Sequence, residues 1–230
     1  MKKLLILISA AALSLPALGA DNEKLTSRLD SAKTVIDQIM SVPDKSIPDS
    51  IARKAYCVGV IPGMVKGAFI FGAEYGQGVV TCRTANGWSG PVFVRMAGGS
   101  FGFQIGGQGT DLVLVAVDHK GFEDLLQDKF KIGAGASAAA GPVGRDANAS
   151  TDLSMRAELL TWSRARGLFA GIDLNGVSVS QNTQDTDDFY GANHHFDAIL
   201  HGQVPAPAAA EPFLKSIEQY FGAASAQAAR

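Results

Sequence analysis

At 230 residues the chain can hold one good core or at most two small ones. A formal charge of −2 excludes recruitment of nucleic acid or anionic membrane by bulk electrostatics, so any basic surface has to be local. With 26 glycines and only 8% aromatic residues, the composition suits a β-containing globular protein better than a helical bundle.

The N-terminus reads as a leader. Lys2 and Lys3 make a positive n-region and Leu4–Leu15 an apolar h-region, and Ala17-Leu18-Gly19-Ala20 supplies small residues for cleavage. Residues 1–20 are therefore set apart as a signal peptide. The mature protein is expected to be exported, periplasmic or envelope-associated, and no cysteine near the cut suggests lipid modification. An amphipathic helix is expected next, within 21–45, because Leu25, Leu29, Ala32, Ile36 and Ile39 recur at steps of three and four over Asp21–Met40. Its other face mixes Lys24, Arg28 and Lys33 with acidic residues. Pro48–Lys54 is read as a second, short helix.

Strands are expected over Tyr56–Ile61, Val65–Phe71, Gly78–Cys82 and Pro91–Met96, with turns at Pro62-Gly63, Tyr75-Gly76 and Asn86-Gly87. Connections this short favour antiparallel neighbours. Residues 88–118 look like the organising stretch: Val92–Met96 and Leu112–Val117 bracket a run in which Phe101, Phe103 and Ile105 alternate with Gly102 and Gln104. Glycines inside such a run imply a bent, tightly packed sheet. Arg95, Gln104, Gln108 and Asp111 interrupt it too often for a membrane-crossing helix.

A helix is expected over Gly121–Phe130, then a strand of small residues in Ile132–Arg145, whose Gly133-Ala-Gly135 is too isolated to signal a dinucleotide site. Leu153–Ser163 fits helix or strand. Gly167–Leu174 and Val177–Ser180 read as a hairpin through Asn175-Gly176, and Asp185–Asp188 as the start of a polar loop. Short and longer helices follow at Phe196–His201 and Glu211–Phe221, the latter docked by Phe213, Leu214, Ile217 and Phe221. The tail, 223–230, is expected to fray. The architecture expected is α+β: a curved, mainly antiparallel sheet with N- and C-terminal helices packed on it.

No catalytic constellation emerges. There is no GxSxG elbow, and His119, His194, His195 and His201 read as surface histidines even though Asp197 stands near three of them in sequence. Asp185, Asp187 and Asp188 lack the glycine and closing glutamate of a calcium loop. The reading is of a protein that is not an enzyme and has neither cofactor nor metal. Cys57 and Cys82, the two cysteines, are both in the exported part; lacking CxxC spacing, they are expected to form a structural disulfide.

Taken in order, Ala52–Gly63 (ARKAYCVGVIPG), GWSGP at 87–91, GGSFGFQIGGQGTD at 98–111, Leu112–Val117, GPVGR at 141–145 and RGLFAG at 166–171 resemble the SYLF domain. The resemblance runs from about Ser46 to Phe221, and the domain is placed at 46–222. It implies lipid binding, with phosphoinositide preference in eukaryotic members and actin-filament binding in fungal ones. It also implies service at the membrane by an N-terminal amphipathic helix and basic residues. Carried over, these are Asp21–Met40 with Lys24, Arg28 and Lys33, and Arg53, Lys54, Lys66 and Arg145. The helix here is not predominantly basic and no SH3 or FYVE module follows, so phospholipid or membrane-surface binding transfers better than phosphoinositide or actin. Arg145 beside Gly144 is suited to a phosphate where backbone N–H groups are exposed. The alternative is a structural or protein-interaction module meeting an envelope partner through Trp88, Tyr190 or the helix faces.

Overall fold

The computed structural model describes residues 18–42, 46–68, 71–101, 108–118, 120–121, 129–132, 138–142, 159–165, 168–169, 174 and 176–222. Residues 1–17 of the expected leader, Phe103, Ile105, His119, Gly133-Ala-Gly135, Arg145 and the tail 223–230 lie outside them.

Helix α1 is Leu18–Met40, beginning within the segment expected to be cleaved. Leu25, Leu29, Ala32, Val35, Ile36 and Ile39 are all buried along one stripe, as a 3.6-residue period requires. Helix α2 is Asp49–Ala52, entered from an extended Pro48. The strands are β1 Cys57–Ala68, β2 Phe71–Thr84, β3 Gly87–Trp88, β4 Val92–Phe101, β5 Gln108–Ala116, β6 Lys129–Lys131, β7 Ala138–Ala140, β8 Leu159–Ala165, β9 Leu168–Phe169 and β10 Ser178–Gln181. Helices α3 Thr183–Tyr190, α4 Phe196–Leu200 and α5 Glu211–Phe221 complete the chain.

The sheet runs β6-β10-β4-β2-β1-β5-β8-β7, with β3 paired to β2 and β9 to β8. Every pairing is antiparallel except β7 with β8. The outermost strands β6 and β7 follow one another in sequence, Lys131 preceding Ala138 by seven residues. Seven residues reach at most ~25 Å, whereas eight flat strands would hold their edges ~34 Å apart. The sheet is therefore curled, as expected for this α+β chain.

Its concave side is packed by Ile61, Met64, Leu112, Leu114, Val177 and Ile132, the last of these in the closing connection, and by Phe196, Ile199 and Leu200 of α4. The convex side carries Val58, Val60, Val79, Phe93, Val113 and Trp162 under α1, α3 and α5. Glycine makes the tightest inner approach possible. A Cβ on Gly78 would fall on the Val60 carbonyl oxygen, and one on Gly76 would stand 2.5 Å from Ile61 Cγ2.

Several local expectations need correcting. Pro62-Gly63 does not separate two strands. It is a bulge inside β1, where the register to both neighbours shifts, and the Gly63 N–H donates to the Asp111 carboxylate at 3.0 Å. Tyr75-Gly76 lies inside β2 rather than in a turn. The expected hairpin across Asn175-Gly176 does not form: β9 pairs with β8, and β10 lies between β4 and β6. The polar loop at Asp185–Asp188 is helix α3, started by the Asn182 side chain accepting from the Asp185 N–H and ended by Gly191 at φ 70°. Of the helix expected over Gly121–Phe130, Phe130 belongs instead to strand β6, and residues 122–128 lie outside the described ones. The ambiguous segment Leu153–Ser163 is strand from Leu159 on, its first six residues lying outside the described ones.

Candidate functional site

Among the described residues, the basic side chains singled out from sequence are not gathered into one patch. Arg28 is pinned between elements: Nη1 meets Asp185 of α3 at 2.5 Å, Nη2 donates to Gln77 of β2 at 2.6 Å, and the guanidinium lies 5.5 Å from the Phe93 ring centroid. Its side chain is only 18% exposed. Lys33 pairs with Asp37 at 2.6 Å, and the same carboxylate accepts from Ser216 of α5. That hydrogen bond and charge raise the Lys33 ammonium above its ordinary value. Lys24 is exposed on the first turns of α1. Arg53 and Lys54 are exposed at the end of α2, Arg53 standing 4.0 Å from the Asp49 carboxylate. Lys66 stands opposite Glu74 in the β1–β2 register.

The apolar stripe of α1 is the part of the helix a headgroup region would receive, but here it is buried against the convex face of the sheet and α5. A docked α1 therefore presents its polar side outward.

The expected disulfide is present: Cys57 and Cys82 are cross-strand partners, both fully buried. Arg83, next in β2, donates to the carbonyls of Ala55 at 3.0 Å and Phe221 at 2.6 Å and stacks 4.7 Å from the Trp88 ring centroid. Burial lowers its guanidinium value, opposed by the charge of Glu218. Tyr190 donates its hydroxyl to the Pro91 carbonyl at 3.1 Å, and burial pushes that hydroxyl up. Tyr190 is thus spent on packing rather than offered as a contact. Two clefts flank α5: one of about 650 Å³ between Lys33, Asp37, Lys215 and Tyr220, the other of about 510 Å³ between Trp88, Pro207, Leu214 and Glu218.

One arrangement was not foreseen. Beyond α1, a polar row crosses the convex face: Ser180, Arg95 and Gln77 are register partners on β10, β4 and β2, while Asp111 and Arg164 are partners on β5 and β8. Arg28 and Gln38 of α1 reach down to Gln77 and Arg164. Past this row the same face carries no charge on four strands: Tyr75 and Ala73 of β2, Ala97 and Gly99 of β4, Val65 of β1 and Gly109 of β5 are all exposed. The alternation of Ala73, Tyr75 and Gln77 with Glu74 and Gly76 carried this signal, but it is hidden if Tyr75-Gly76 is taken as a turn.

Among the described residues no group of three or more His, Cys, Asp or Glu side chains is placed to hold a metal, and no helix is long and apolar enough to cross a membrane. His201 lies 3.1 Å from Asp197, exposed, and His194 packs 5.8 Å from the Tyr190 ring.

Residues 97–220 match the profile of the family described as "Ysc84: Las17-binding protein actin regulator". The chain is 31% identical over 179 residues to "Protein YSC84" of Saccharomyces cerevisiae, covering 76% of this chain and 38% of that one. It is 31% identical over 180 residues to the human "SH3 domain-containing YSC84-like protein 1", covering 77% and 52%. It is 30% identical to the yeast "LAS seventeen-binding protein 3", covering 76% and 39%. The chain thus spans about half or less of the length of these relatives.

Proposed function

From the premise that the chain belongs to the Ysc84 family, the same family as the SYLF resemblance, we propose that it is a non-enzymatic phospholipid-binding protein of the cell envelope. It meets anionic headgroups through local basic residues and the outward side of α1. The observation that carries this reading is the run Arg53, Lys54 and Tyr56: all three are exposed, Tyr56 by 45%, where α2 hands over to β1. A cation pair beside an amphipathic ring suits the boundary between water and headgroups. Lys24 is exposed on α1. Arg28 is held by Asp185 and Gln77 instead.

Sedimentation of the protein without its leader, with phosphatidylglycerol-containing vesicles across a salt series, tests the reading. Pelleting at low salt that weakens as salt rises is expected, and Arg53→Ala with Lys54→Ala should weaken it several-fold. Absence of pelleting at low salt counts against it.

The family description favours a second reading, a protein-interaction module, because it names a protein partner, Las17, for the family. The cleft between Trp88, Pro207 and Leu214 is the concave apolar surface for it. Crosslinking of envelope extracts in the absence of lipid, lost on Leu214→Asp, separates the two readings.

A further inference from the structure

We propose that the uncharged patch of the convex face on β1, β2, β4 and β5 is where this protein enters a bilayer, with the polar row beside α1 marking the depth at which it stops. The inference rests on the phospholipid reading above but moves the bilayer contact to the end of β1 opposite Arg53, Lys54 and Tyr56, so the variants at the two ends decide between the two contacts.

The argument is one of register. Strand neighbours directly opposite one another share a face, so whole rows can be read across β1, β2 and β4. Val65, Tyr75 and Ala97 form one row, which runs on through Ser178 of β10 to the exposed Lys131 of the edge strand β6, and Ala73 pairs with Gly99 in the next. None of these positions on β1, β2, β4 and β10 is charged, and Lys131 stands at the rim, where a lysine stem can lie along apolar surface and hold its ammonium in the headgroups. Val65 is 52% and Tyr75 49% exposed, two of the most exposed large apolar side chains among the described residues. Those two sit opposite each other on one face, so they make a patch rather than scattered exposure.

The boundary is as informative as the patch. One row back toward α1 comes Arg95, exposed, with Asn182 as its hydrogen-bond partner at 2.6 Å and no carboxylate within ion-pair distance among the described residues. Arg95 is a diagonal neighbour of Tyr75 across β2 and β4, near enough for an aromatic ring and a guanidinium to serve one ligand. A tyrosine at the water–lipid boundary, an unneutralised arginine beside it and uncharged residues beyond it are the order in which a membrane presents headgroups and acyl chains. The charge complement of Arg95 is therefore a lipid phosphate.

Fluorescence of Tyr75→Trp on phosphatidylcholine vesicles, with and without phosphatidylglycerol and with brominated acyl chains, tests the assignment. Trp88 and Trp162 of the unsubstituted protein provide the background. Quenching that appears with Tyr75→Trp and is missing with Thr34→Trp on the exposed side of α1 is expected. Val65→Asp with Tyr75→Asp should weaken vesicle binding roughly tenfold without changing the far-ultraviolet circular dichroism. If Tyr75→Trp pellets with vesicles but stays unquenched, this surface is wrong and the phospholipid reading stands. If nothing pellets, both fall. If light scattering shows Tyr75→Asp splitting an oligomer while vesicle binding is unchanged, the face joins copies of this chain and the bilayer assignment is overturned.

Discussion

The two ends of β1 and β2 are built from the same kinds of residue, yet they behave as different materials. At one end Cys57 and Cys82 are bridged and fully buried, the Thr81 hydroxyl donates to the Ser89 carbonyl and the Ser89 hydroxyl accepts from the Cys82 N–H, and Arg83 ties the carbonyls of Ala55 and Phe221 together. Helix α4 and the Trp88–Phe221 contact, ring centroids 6.1 Å apart, close the rest. At the other end Val65 and Tyr75 face solvent with small residues around them. Both ends are valine- and glycine-rich strand, so propensity does not distinguish them. What differs is whether distant segments arrive to cover them: residues 196–221 cover the first, and among the described residues nothing covers the second.

The comparison predicts where stability is held. Phe221→Ala, at the closed end, empties a fully buried site and removes the ring that Trp88 packs on; a loss of about 4 kcal/mol is expected. Tyr75→Ala at the open end should change stability by no more than about 0.5 kcal/mol. Urea unfolding of the two variants side by side would break the comparison if their losses were alike. Next in size is the disulfide. Replacing both Cys57 and Cys82 by serine frees a loop of 25 residues in the unfolded chain and should cost about 3 kcal/mol, read as a lower urea midpoint that no longer responds to reductant.

Arg28 sharpens the comparison because it stands between the two ends. Arg28→Ala leaves the Asp185 carboxylate, 24% exposed, without its cation and Gln77 without its donor. A partly buried pair of this kind is worth less than a fully buried one, and a loss of about 2 kcal/mol is expected. Adding Asp185→Asn should recover part of it in a double-mutant cycle; strict additivity would show that the pair is not coupled.

How much of this was legible in the sequence depended on how far away the partner was. Helix α5 was read to its boundaries because Phe213, Ile217 and Phe221 repeat at steps of four, a local signal. The sheet's curvature was legible from glycine content, and Gly76 and Gly78 supply its reason in the Ile61 side chain and Val60 carbonyl they make room for. The bulge at Gly63 was not legible, since the group that fixes it, Asp111, lies 48 residues on. Arg28 reads as a membrane-facing cation of α1 because Asp185, which holds it, is 157 residues away. Helix α3 was mistaken for a loop because only Thr186 and Phe189 of its eight residues are buried, too few to show a period. Among the candidate contacts, Arg53 and Lys54 came from the resemblance to the SYLF domain, whereas Val65, Tyr75 and Arg95 needed the strand register before they formed a surface.

The smallest expected effect concerns the rim of the closed end, where Glu211 and Lys215 of α5 line both clefts. Their carboxylate and ammonium are 2.7 Å apart and both well exposed, 63% and 74%. The lysine's hydrogen bond and charge hold the Glu211 carboxyl below its ordinary value. A carboxyl depressed on folding contributes stability that is fully present above its unfolded value, about 4.3. That contribution is lost as pH falls through the folded value. Lys215→Ala should therefore lower the melting temperature slightly at neutral pH, and the gap from the unsubstituted protein should close toward about pH 3. A gap that persists in acid would mean that Lys215 acts through its aliphatic stem in the cleft rather than through its charge. In that case the packing of the Lys215 stem, not the ion pair, sets how firmly the helix closes this end.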